Sequence, residues 1–118
     1  MTEQVMLGAP KCVSALNSID DALYVIGGKW KLRVIATLRE GNKRFNEIQR
    51  NINGISPRVL SNELRELELN GLVTRTVQTQ MPVVVEYHLT DYAESLGNVL
   101  TSLMEWGTMH RDKIRKER

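Results

Sequence analysis

Apolar residues recur at helical spacing in five stretches of the chain, and the rhythm changes once. From Ser14 to Ile26, the residues Leu16, Ile19, Leu23 and Ile26 share one face of a first helix, over residues 14–26. Ser18 with Asp21 resembles a capping box, which gives this helix a second candidate start. Gly27 and Gly28 break it. Trp30, Val34 and Leu38 stripe a second helix over 29–40, and Gly41 stops it. Phe45, Ile48 and Ile52 give a short third helix over 45–52.

The fourth helix, over 56–70, has the clearest bounds. Ser56 suits the N-cap and Pro57 the first helical position, where a missing N–H costs nothing. Asn70 and Gly71 end it. Leu60, Leu64 and Leu67 form its apolar stripe. At about 100° per residue, Arg58, Ser61, Asn62 and Arg65 lie opposite. Leu69 points the same way and fits that face poorly.

The rhythm then shortens. "LVTRTVQT" is rich in Val and Thr, and "VVVEYHL" alternates at Val85, Tyr87 and Leu89. With "QMP" between them, residues 72–89 read as a β-hairpin. Thr90 caps a last helix over 91–112, with Leu96, Val99, Leu100, Leu103 and Trp106 along one long apolar face. Residues 1–13 are left as an N-terminal arm and 113–118 as a basic tail.

The expected fold is mainly α with a small β-hairpin, an α+β winged helix-turn-helix in one domain spanning residues 1–118. The tight "NGIS" turn joins the third helix to the fourth, and the hairpin supplies the wing. In such a layout the second helix of the pair enters the major groove of duplex DNA. The face opposite the leucines has the chemistry for it. Arg58 and Arg65 can present paired N–H donors to guanine, Asn62 can pair with adenine, and Ser61 can serve either. Ser56, at the leading end of that helix, is counted with them. Lys43 and Arg44, ahead of the third helix, are expected on phosphates, where they fix register without reading sequence. Lys29 and Lys31 are further phosphate candidates. Arg75, Gln78 and Gln80 lie on the wing and could reach a minor groove or a phosphate. The wing tip carries no Lys or Arg.

Charge supports this placement more than composition does. The formal net charge is only +2. Yet residues 29–58 hold eight basic residues against two acidic ones, and residues 59–110 hold two against seven. A basic segment beside the exposed helix face suits a polyanion. The 118 residues suit one domain, and no apolar run is long enough to span a bilayer. The single cysteine, Cys12, can form neither an internal disulfide nor a multi-cysteine metal site. A cytoplasmic protein with no membrane association is the simplest expectation.

Catalytic and cofactor chemistry finds no footing. His88 and His110 lack ligand spacing, so no metal is expected. "GGKW" is not a phosphate loop, because Trp follows Lys29 where Ser or Thr belongs. Asp20 and Asp21 are adjacent and diverge on a helix. No nucleophile is paired with a base, so an enzyme is not expected and no cofactor is implied. Trp30 and Trp106 read as core anchors, as do Tyr24, Tyr87 and Met104; a ligand pocket is the competing reading for the tryptophans.

Five ordered blocks, "VIGGKWK", "RFNEI", "GISPRVLSNELRELELNGLV", "VEYHLT" and "LMEWG", resemble the HxlR-type winged-helix transcriptional regulators, relatives of the MarR group. The resemblance covers roughly Ser18 to His110. It implies a homodimer built through the terminal helices, with Leu16, Ile19, Leu96, Val99, Leu100, Leu103 and Trp106 at the interface. It also implies a pseudo-palindromic double-stranded operator and, often, a response to electrophile or redox stress or to a small-molecule effector. Two features depart from the family pattern. Asn17 and Ser18 stand where many members have a reactive cysteine and a proline, and Ala93 stands where glycine is usual. Cys12 is out of register with the reactive position. It is a candidate redox sensor, with Lys11 beside it to favour thiolate, but a free thiol in the N-terminal arm is the preferred reading. A winged helix that binds protein rather than DNA is the alternative, disfavoured by the polar face of the fourth helix.

Overall fold

The computed structural model describes residues 9–117, with side chains from residue 13 onward. Helices α1 (Ala9–Ile26), α2 (Lys31–Leu38), α3 (Phe45–Asn51) and α4 (Pro57–Leu69) precede an antiparallel pair, β1 (Val73–Gln78) and β2 (Val84–Leu89). A 3-10 turn (Tyr92–Leu96) leads into α5 (Gly97–Lys116). The mostly helical chain with one hairpin and a long last helix matches the expected class.

The core sits between α2, α3, α4 and the base of the hairpin. Val34, Ile35, Ile48, Leu60 and Leu67 are fully buried there, with Leu64 and Leu72 all but so. Each such side chain contributes roughly 1.5–3 kcal/mol relative to an exposed one. Trp30, Phe45, Tyr87 and Leu89 pack around the rim, partly buried. Among the described residues, only Val25 and Ile26 of α1 and only Leu100 of α5 reach this core.

Local signals explain the joints. Gly27 donates to the Leu23 carbonyl at 2.7 Å, and a Cβ at position 27 would collide with that oxygen. After α4 the chain turns at Gly71, whose φ of 77° is the left-handed conformation glycine tolerates. Leu72 N then donates to Leu67 O at 2.9 Å. Thr90 ties the far end of the hairpin back to this turn. Its hydroxyl donates to Gly71 O at 2.6 Å and accepts from Ala93 N at 3.3 Å.

Several boundaries differ from expectation. Residues 9–13 belong to helix α1 and not to an arm, and Ser18 is mid-helix and caps nothing. Helix α2 is shorter at both ends than 29–40, because Gly28 at φ 91° and Trp30 keep its first residues out of the helix. The last helix is two pieces, a 3-10 turn and then α5. It continues to Lys116, so the basic tail is mostly helical.

Candidate nucleic-acid interface

The site is built on α4, and its local chemistry is the one the sequence spelled out. The Ser56 hydroxyl accepts from Val59 N at 3.2 Å, with Pro57 at the first helical position. Leu60, Leu64 and Leu67 face inward at 1% exposure or less. That stripe sets the roll of the helix, so Ser56, Arg58, Ser61, Asn62 and Arg65 are all exposed on the opposite side. Arg65 Nη2 donates to Asn62 Oδ1 at 3.2 Å. Two of the side chains expected at base edges are thus already held side by side, with donors to spare on both. Leu69, the misfit on this face, is 79% exposed and lies at its C-terminal end.

Around α4 the basic residues divide by what they already hold. Arg44 is exposed, and its backbone N–H donates to Glu47 Oε1 at 2.7 Å, closing the start of α3. Lys43 is half-buried. It exchanges backbone hydrogen bonds with Tyr87 at 3.0 and 2.8 Å, forming a stub of a third strand beside the wing, and its ammonium lies 3.8 Å from Glu40. Lys29 and Arg33 both lie over the Trp30 ring, at 4.7 and 5.4 Å. Lys31 is not a free cation. Its Nζ is 2.6 Å from both Glu63 and Glu66 on α4, so the phosphate role suggested for it is corrected.

The wing separates its polar residues. Arg75 pairs with Tyr87 in the ladder and Gln78 with Val84. Successive strand residues point to opposite faces, so Arg75 and Gln78 cannot line one surface. Gln80 lies in the exposed turn beyond β1. The wing tip is apolar: Met81 is 89% exposed, with Val77 near the end of β1 and Val83 about half so.

The terminal helices hold the largest departures from expectation. Trp106, Tyr24 and Met104 are not core anchors; they are 59%, 83% and 63% exposed. Leu16, Ile19, Val99 and Leu103 are exposed with them. Leu100 belongs to the protomer's own core, and Leu96 packs partly against it, so neither stands free on that apolar face. Trp106 stacks on His110 with centroids 5.0 Å apart, an i, i+4 contact along α5. The Cys12 side chain lies outside the described residues. No helix is long and apolar enough to cross a membrane, and no cluster of three His, Cys, Asp or Glu could hold a metal ion, among the described residues.

Comparison with known proteins places this geometry. Residues 25–115 match the HxlR-like helix-turn-helix family model. An HTH-type transcriptional regulator of Methanothermobacter thermautotrophicus is 46% identical over 95 residues, covering 80% of this chain and 72% of the relative. YtcD of Bacillus subtilis, also an HTH-type transcriptional regulator, is 40% identical over 97 residues, covering 82% and 77%. Among solved structures, the redox regulator HypR in its reduced form superposes with a TM-score of 0.78 at 40% identity, covering 84% of this chain and 98% of that one. The relatives are regulators and not enzymes. With its buried leucine stripe, outward Arg/Ser/Asn/Arg face and trailing wing, this chain belongs to the HxlR-like helix-turn-helix family of transcriptional regulators.

Proposed function

We propose that the protein binds a pseudo-palindromic operator as a homodimer, each copy laying α4 in the major groove. The observation that carries this is the roll of α4. Three buried leucines turn Arg58, Ser61, Asn62 and Arg65 outward together, and a groove about 12 Å wide admits one such helix. Lys43 and Arg44 flank it as phosphate contacts, and the wing follows through either Arg75 or Gln78, which lie on its opposite faces, with Gln80 in its turn. The homodimer forms through the apolar faces of α1 and α5. Large apolar side chains left exposed along both helices are the mark of a partner surface. Two copies then carry two reading helices about 34–36 Å apart, one turn of DNA.

An effector would act by favouring one dimer geometry over another. The relative HypR is a redox regulator, and Cys12 is the only thiol in this chain; a redox-responsive regulator in the cytoplasm is the corresponding reading. If Cys12 carries the response, Cys12→Ser abolishes the effect of diamide on operator binding. An unchanged diamide effect in that variant removes Cys12 from the account.

The test is selection of bound duplexes from a random pool. The expected product is an inverted repeat with half-site centres about 10–10.5 bp apart. On it, Lys43→Ala weakens operator and random DNA alike, whereas Arg58→Ala relaxes the preference at one base position in each half-site. Recovery of unrelated sequences, or equal losses on all DNA for both variants, contradicts base reading by α4.

A further inference from the structure

We infer that Lys31 is a positioning residue for the reading helix: by holding Glu63 and Glu66 at once, it fixes the roll of α4 and so the aim of Arg58, Asn62 and Arg65. This rests on the DNA-reading function proposed above.

The lysine stands on firm ground. It is the first residue of α2, whose Val34, Ile35 and Leu38 are in the core. Its Nζ lies 2.6 Å from an oxygen of each glutamate, and its side chain is only 12% exposed, with Glu63 at 19%. The Lys31–Glu63 leg is therefore largely covered between the two helices, whereas the Glu66 side chain that meets the same ammonium is 53% exposed. Burial alone would lower the Lys31 ammonium, but the hydrogen bonds and charges of Glu63 and Glu66 outweigh it and hold its pKa above the ordinary value. The Glu66 carboxyl is held below its own ordinary value, first by the hydrogen bond from Lys31. Both shifts favour the charged forms of Lys31 and Glu66.

The location gives the bridge its leverage. At about 100° per residue, Glu63 and Glu66 lie on the flank between the leucine stripe and the reading face. The leucine stripe sets which face of α4 is buried, and the attraction between apolar groups is itself non-directional. Charge-assisted hydrogen bonds are short and directional. A roll of about 10° moves a group ~6 Å from the helix axis by roughly 1 Å, which exceeds the width of the hydrogen-bond distance range.

The two sides of the bridge allow a clean test. Lys31→Met removes one positive charge, and Glu63→Gln with Glu66→Gln removes two negative ones. Bulk attraction to DNA shifts in opposite directions in these variants, whereas lost positioning weakens operator binding in both. Fluorescence anisotropy is measured on the selected operator and on random duplex for the wild type, Lys31→Met, Lys31→Arg, the double glutamine variant and Arg65→Ala, with thermal melts alongside. The expected result is an operator loss of about fivefold or more in both Lys31→Met and the double variant. Random-DNA affinity falls slightly in the first and rises slightly in the second. Lys31→Arg, which keeps both carboxylates paired, restores most of the operator affinity. Should Lys31→Met fail to fold, the double variant decides. Operator binding by the double variant equal to or tighter than wild type overturns the positioning role, as does a loss in Lys31→Met that is the same on both DNAs. If the wild type shows no operator preference, or Arg65→Ala costs nothing, the DNA reading itself fails and this inference falls with it.

Discussion

Helices α4 and α5 are both amphipathic, and their apolar stripes meet opposite fates. In α4, Leu60, Leu64 and Leu67 are sealed inside the protomer and the polar face looks out. In α5, Val99, Leu103 and Trp106 stay 42–59% exposed, and only Leu100 is covered. A helical stripe states that an element will be covered, but not by what. Strand β1 follows α4 directly and packs on it, and α2 lies against it too. By contrast, α5 runs on past the edge of the core, as α1 does at the other end of the chain. The radius of gyration shows the consequence: 17.6 Å, against about 13.5 Å for a compact domain of this length.

The largest predicted effect breaks the proposed symmetry of that comparison. Leu103→Glu puts a charge on the exposed stripe of α5. Sedimentation should show monomers, and operator affinity should fall by a factor of roughly 10²–10⁴, the avidity lost when two half-sites are no longer bound as one. Folding should be nearly unaffected, since Leu103 is 48% exposed in the protomer. The matching change in α4 has the reverse profile. Leu64→Ala empties a buried position and should cost about 2–5 kcal/mol in urea unfolding. An equal stability loss in Leu103→Glu would show that the two stripes are not different in kind.

On the polar side, Arg65→Ala should cost about 1–3 kcal/mol on the selected operator and relax its preference locally, with unfolding unchanged. The smallest effect is on the pH dependence of stability. Glu66 has a lowered pKa in the folded state, so its stabilisation is present above its ordinary value of 4.5 and is lost as pH falls through the folded value. Lys31 has a raised one, so its contribution is complete below 10.5 and is lost as pH rises beyond. Lys31→Met should flatten both limbs of the urea midpoint plotted against pH. Unchanged limbs would mean the bridge carries little of the coupling between α2 and α4.

What could be read in the sequence was what neighbouring residues decide. The bounds of α4 followed from Ser56, Pro57 and Gly71, each a local backbone effect, and its two faces followed from spacing. Residues 9–13 were left out of α1 because the apolar spacing that marks the helix begins only at Leu16. The glycine at position 97, where a 3-10 turn gives way to α5, was passed over within one long stripe. Non-local partners left no trace. Lys43 beside Tyr87 across the hairpin, and Lys31 beside Glu63 at a separation of 32 residues, depend on which helix faces lie together. Charge spacing within one helix cannot report that. Trp106 and Tyr24 were misplaced for a related reason, because an aromatic in an apolar stripe looks the same whether it meets its own chain or another's.

The central claim is that α4 occupies the major groove in two places on one duplex. Methylation interference with dimethyl sulfate tests it most directly, since the reagent marks guanine N7 in the major groove and adenine N3 in the minor groove. Methylated guanines in two patches about one helical turn apart should block binding, and the interference at one guanine in each patch should vanish in Arg58→Ala or Arg65→Ala. Interference confined to adenine N3, or a single patch left unchanged by both variants, would contradict it.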